Sequence, residues 1–157
     1  MLSVQPVRVY QIGKLLRVAD ILYACGKDMA GKYGLQHWNN SRLKTWAVVG
    51  LCMLKNKVFL GVNEDGRTIA TMQTKLQGDA LHLAKLAVHP SASGKGYGSE
   101  CLRWVEEYAR AQKCKSVEFE VYDQSKHAIA FYEHCGYEAC GSTETLKYRE
   151  IKMKKIL

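Results

Sequence analysis

The run His89-Pro90-Ser91-Ala92-Ser93-Gly94-Lys95-Gly96-Tyr97-Gly98-Ser99 bears most directly on chemistry. Glycines at 94, 96 and 98 put no side chains over the backbone amides. Those amides, with the start of a helix behind them, form a positive cradle for phosphate oxygens. Lys95 adds charge. The spacing is neither a Walker A loop, which needs Gly-Lys followed by Ser or Thr, nor a dinucleotide fingerprint with its acidic residue about 20 positions on. Alternating glycines occur in many loops, so the order of the surrounding elements must decide what this one binds.

Those elements follow from hydrophobic period. Residues 3–8 suit a short strand. From Tyr10 to about Ala30, Ile12, Leu15, Leu16, Ala19, Leu22 and Tyr23 recur at helical spacing, which Gly31 and Gly34 break. The stretch Tyr33–Asn40 reads as a loop. Ser41 caps a second helix to about Leu54, apolar at Trp46, Val49, Leu51 and Met53. The period then becomes two. Lys57–Val62, Arg67–Leu76 and Ala80–Val88 are strands joined by turns at 63–66 and at Gly78-Asp79, an antiparallel meander. His89-Pro90 ends the third strand. A helix follows from Gly96 to about Gln112, with Cys101, Leu102, Val105, Tyr108 and Ala109 buried and Arg103, Glu106, Glu107 and Arg110 outward. Ser116–Tyr122 is a strand with Val117, Phe119 and Val121 on one face. Lys126–Cys135 is a short helix stopped by Gly136, and 137–141 and 148–155 close the sheet.

Leu81 to Tyr122 is thus a βαβ crossover within an otherwise antiparallel sheet. The expected fold is α+β, a mixed α/β sheet flanked by about four helices, in one domain spanning 1–157. The 157 residues suffice for a core without disulfide or metal staples.

The formal net charge is +8, from 23 Lys+Arg against 15 Asp+Glu. This suits a polyanionic ligand. The basic run Lys147–Lys155 reads as an edge strand with charges outward, and only this run hints at nucleic acid, which ranks as an unfavoured partner. The six cysteines include no CxxC pair and no zinc spacing, so no metal is expected. No basic n-region precedes an apolar run, and no apolar stretch is long enough to span a membrane. The expected setting is cytoplasmic, with no membrane partner and with a homodimer as an allowed assembly.

The order Lys85-Leu-Ala-Val-His-Pro, then Gly94-Lys-Gly-Tyr-Gly, then Ala128-Ile-Ala-Phe-Tyr-Glu-His-Cys-Gly-Tyr137 resembles the GNAT superfamily of acyl-CoA N-acyltransferases. The first two pieces are similar to its motif A and the last to its motif B. The resemblance is strong from Leu81 to Tyr137 and covers the first 55 residues only in helical layout. Ser93 stands where the family usually has Arg or Gln, and Ser125 where it often has Asn. Both changes remove a side-chain contact and leave the backbone amides intact.

The resemblance implies acetyl-CoA as acyl donor and an amine-bearing acceptor, a small molecule or a peptide. It implies cofactor contacts at Ser93, Gly94, Lys95, Gly96, Tyr97, Gly98, Ser99, Ser125 and Ala128. It puts the thioester beside Leu86, Ala87 and Val88, where a splayed strand frees backbone groups. Tyr132 matches the tyrosine that protonates the leaving thiolate; a phenol with reference pKa ~10 can pass a proton to a thiolate, ~8.5, at little cost. His82, on the strand face counted from Leu86 and Val88, is the candidate base, since an imidazole accepts a proton near neutrality. Glu118, Glu120 and a water chain are the alternatives. Tyr33, His37 and Trp38 fall where similar proteins bind the acceptor. A non-catalytic acyl-CoA-binding module on the same fold is the competing reading.

Overall fold

The computed structural model describes all residues, Met1–Leu157. The elements in chain order are β1 (Ser3–Val7), α1 (Ile12–Tyr33), α2 (Arg42–Lys55), β2 (Lys57–Val62), β3 (Thr68–Gln77), β4 (Ala80–Val88), a 3-10 turn at Pro90–Ala92, α3 (Tyr97–Ala111), β5 (Ser116–Tyr122), α4 (Lys126–His134), β6 (Glu138–Glu144) and β7 (Arg149–Ile156). The strands form one sheet in the order β1-β2-β3-β4-β5-β7-β6. β4 and β5 run parallel, while β1 with β2, β2 with β3, and β7 with both β5 and β6 run antiparallel. The mixed sheet with four helices agrees with the fold expected from sequence.

The residues gather into two compact units: Met1–Thr74 with Lys85–Cys101, and Lys75–Ala84 with Leu102–Leu157. In the first, α1 buries Val18, Ala19, Ile21, Leu22 and Cys25, spaced as one helical stripe, together with Val49 of α2 and Val7, Val58, Leu60 and Ala87 of the strands. Ser41 caps α2 by accepting from the Lys44 N–H at 3.2 Å. The β2–β3 hairpin turns on Asn63, whose Oδ1 accepts from the amides of Asp65 and Arg67, and on Gly66 at φ +74°. In the second unit, Leu102, Val105 and Ala109 of α3 and Val117, Phe119 and Val121 of β5 are buried. Each such side chain removed from water contributes about 1.5–3 kcal/mol.

Several details differ from the sequence reading. α1 passes through Gly31 and stops at Gly34, whose φ of +67° forms the left-handed cap. A single glycine weakens a helix by about 1 kcal/mol and need not end one. On α2 the side chains turned inward are Thr45 and Val49, whereas Trp46 and Leu51 are 50% and 64% exposed. β7 is not an edge strand: it lies between β5 and β6, and Lys154 and Lys155 pair with Glu118 and Glu106. Glu106 itself is buried rather than outward.

The chain leaves β4 through His89, whose N–H donates to the Ile69 carbonyl at 2.7 Å.

Candidate active site

In the first unit, the loop after β4 is pinned by His89, whose Nδ1 accepts from the Ser91 N–H at 3.2 Å. Gly94 and Gly96 have φ of +73° and +83°, and a Cβ at either would meet no atom within 4 Å. The space above these backbones is open, and the left-handed conformation strains any other residue. The first bond of α3 runs from the Glu100 N–H to the Gly96 carbonyl at 3.1 Å. The amides of Tyr97 and Gly98 precede that ladder, at the start of the helix. Tyr97 is anchored through its hydroxyl, which donates to Glu64 at 3.0 Å. Glu100 accepts from the Leu2 N–H at 2.8 Å. Ser93 and Lys95 are exposed.

The same unit holds the residues expected at the acceptor site. Tyr33 ends α1 and is half exposed. His37 and Trp38 lie in the following loop with ring centroids 6.0 Å apart. Gly26 explains how that loop seats on α1: a Cβ there would sit 2.1 Å from the Trp38 carbonyl oxygen. Lys85 of β4 places its ammonium 4.9 Å from the Trp38 ring centroid. Neither Gly26 nor Lys85 was singled out from sequence. Their signals were a glycine inside a helical pattern and a lone lysine in an apolar strand. Cys25 donates its thiol hydrogen to the Val88 carbonyl at 3.1 Å.

The second unit holds the titratable groups. The parallel ladder of β4 with β5 covers Ala80, Leu81 and His82 against Ser116, Val117 and Glu118. At its last rung the His82 Nε2 lies 2.6 Å from Glu120 Oε2. The sequence offered His82 and Glu120 as rivals for one role; here they are partners. Glu118 is engaged elsewhere. It accepts from Lys154 at 2.8 Å and Ser116 at 3.1 Å, and the Lys154 hydrogen bond, foremost, holds its carboxyl below the usual range. That makes it a poor base.

On the other face of β5, the Phe119 ring packs at a tilt against Tyr132, with centroids 4.3 Å apart, and against Tyr137 at 5.0 Å. Phe131 adds a ring 5.3 Å from Tyr132. Burial pushes the Tyr132 phenol up, with Cys135 nearby contributing, so it stays protonated at neutral pH. Burial raises thiols too: Cys25 is pushed up to about 12. α4 itself starts at buried Ser125, whose carbonyl accepts from the amides of Ala128 and Ile129, each at 3.0 Å.

The family model described as the acetyltransferase (GNAT) family matches residues 22–137. The chain belongs to the GNAT family. As a GNAT acetyltransferase it is an acyl-CoA-dependent enzyme whose family acts on amine acceptors. The fold agrees: the PaiA N-acetyltransferase from Thermoplasma acidophilum, solved in complex with coenzyme A, superposes with a TM-score of 0.79 at 14% identity, over 100% of this chain and 99% of that one. The ribosomal-protein-S18-alanine N-acetyltransferase from Escherichia coli gives 0.73 at 18% identity, over 99% and 94%. YdhI of Bacillus subtilis (strain 168), an uncharacterized protein, is 25% identical over 112 residues, 71% of this chain and 68% of its own length. No helix of this GNAT chain is long and apolar enough to cross a membrane.

Proposed function

We propose that the enzyme moves the acetyl group of acetyl-CoA to a primary amine by direct attack within a ternary complex, and that residues 1–157 work as a single catalytic domain. Acetyl-CoA, when bound, supplies an activated acyl thioester. The open glycine loop and the start of α3 behind it suit its pyrophosphate. Ser93, Lys95, Ser125 and Ala128 border the cofactor. Backbone groups of Leu86, Ala87 and Val88 hold the arm and polarise the acyl carbonyl.

His82 takes the proton of the acceptor ammonium, directly or through one water, and Glu120 orients the imidazole and stabilises its charged form. As the nitrogen–carbon bond forms and the carbon–sulfur bond breaks, the Tyr132 hydroxyl gives its proton to the thiolate, and the proton then shed by the acylated nitrogen restores the hydroxyl through solvent. Tyr33, His37 and Trp38 contact the acceptor.

One observation supports this reading above the rest: His82 with Glu120 lies on one face of β5 and Tyr132 on the other. A base and an acid on opposite faces of one strand can serve two proton transfers without quenching each other. The pH profile of kcat/KM tests it. The wild type should rise with pH along an acid limb, and His82→Gln, which keeps hydrogen bonding but accepts no proton near neutrality, should flatten that limb while acetyl-CoA affinity holds. An unaltered profile in the variant would remove His82 from the mechanism.

A further inference from the structure

α2 is apolar on both of its sides. Thr45 and Val49 turn into the first unit and are 5% and 2% exposed. On the outward side Leu43 is 72% exposed, Trp46 50%, Leu51 64% and Leu54 77%. Ala47 and Gly50 lie between them and are exposed as well. At about 3.6 residues per turn these six positions share an arc of about 140°, so they form one stripe along the helix. Apolar residues exposed singly are ordinary, whereas a contiguous stripe marks an interaction surface.

The charge around the stripe says what it fits. No Asp or Glu occurs from Met29 to Asn63, while Lys32, Arg42, Lys44, Lys55 and Lys57 all fall in that stretch. By the same helical spacing Lys44 and Lys55 stand along one border of the stripe and Arg42 along the other. Arg42 is tied to Asp20 at 3.2 Å; the two lysines are exposed. Two copies of this face laid together would oppose positive charges with no negative charge between them. The stripe is also the outer side of a single helix, not the groove that a partner helix enters. It matches instead the boundary between anionic headgroups and acyl chains. There leucines enter the apolar layer, a tryptophan ring rests at headgroup level, and lysine stems lie along the surface with their ammonium groups at the phosphates.

We propose that α2 docks the enzyme on an anionic lipid surface, lying in the interface and spanning nothing. The sequence expectation of no membrane partner rested on the lack of a spanning segment, which an interfacial helix does not need. The docking is separate from acetyl transfer and uses none of the residues assigned to it.

The test is flotation of the protein with phosphatidylcholine vesicles, with and without phosphatidylglycerol. Binding should be about tenfold or more tighter to the anionic vesicles and should weaken as salt is raised. Lys44→Gln with Lys55→Gln should lower it by about fivefold per lysine. Leu51→Ser with Leu54→Ser should abolish it at a melting temperature near wild type, since both side chains are exposed. Brominated acyl chains should quench tryptophan fluorescence in the wild type, and Trp46→Phe should remove that quenching. Equal binding to neutral vesicles, binding to neither, or binding unmoved in both double variants overturns the proposal. A homodimer that Leu51→Ser with Leu54→Ser splits, without vesicle binding, would give the face to a second copy. Binding of an acidic amphipathic peptide, without vesicle binding, would give it to a protein partner, and either result overturns the proposal too.

Discussion

At Gly94 and Gly96 the chain leaves open space above its backbone, whereas around Glu106, Tyr137 and Lys155 it closes its polar groups on one another. In the loop, a Cβ at Gly94 or Gly96 would meet no atom within 4 Å. In the second region, Lys155 donates to Glu106 Oε1 and to the Cys135 carbonyl, each at 2.9 Å, and the Tyr137 hydroxyl donates to the same carboxylate oxygen at 3.2 Å. That network ties α3 and β7 to the C-terminal end of α4, one turn beyond Tyr132. On the proposed reading, the open backbone receives the cofactor, while the closed network holds the segment that follows Tyr132 in place.

The comparison can be broken at its closed end first. Tyr132→Phe removes one hydroxyl and none of the ring packing on Phe119. It should lower kcat by about 10²–10⁴-fold, the usual worth of general acid assistance. The melting temperature and acetyl-CoA affinity should stay near wild type. Steady-state kinetics with unchanged kcat would make Tyr132 a packing residue.

Lys155→Ala strands the Glu106 carboxylate in a buried site, which should cost about 3–5 kcal/mol. In a chain of this length that lowers Tm by roughly 10 °C. Adding Glu106→Gln should recover part of the loss. A thermal melt near wild type for Lys155→Ala would show the network to be slack.

At the open end, a ligand at about 100 times its Kd adds roughly 2.7 kcal/mol of stability. Acetyl-CoA should raise Tm accordingly, and Gly96→Asp should abolish the rise, because it strains a φ of +83° and sets a carboxylate against the phosphates. Retention of the shift in Gly96→Asp would place the pyrophosphate elsewhere.

The smallest effect is on alkaline stability. Burial, with help from Asp28, pushes Cys25 from 9.0 up to about 12, and burial with Glu100 does the same for Cys101. The folded state keeps these protons where the unfolded chain releases them. Their contribution is complete below the ordinary thiol value and is lost as pH rises towards the folded one. Denaturant melts should therefore show stability declining above about pH 9. A flat response would show both thiols ionising as freely as in the unfolded chain.

The hairpins of β2, β3 and β4 were legible because turn chemistry is local, with Asn63 to Gly66 and Gly78-Asp79 marking both reversals. The glycine loop was legible for the same reason. Long-range pairing was not. The alternating lysines of β7 read as an edge, since nothing local announces that Glu106 and Glu118 will neutralise them. Glu106 follows Leu102 by one helical turn, so its place on the buried face was present in the spacing and was masked by its charge. The partnership of His82 with Glu120 depends on the β4–β5 register, which no pattern in either strand encodes.

The most direct test of the central claim is release of the coenzyme A thiol from acetyl-CoA, measured with and without a primary amine. The account predicts release that depends on the amine and saturates in it, with the acetylated amine as the matching product. Acetyl-CoA binding without amine-dependent thiol release, across carboxylate-bearing, neutral and polycationic amines alike, would contradict it.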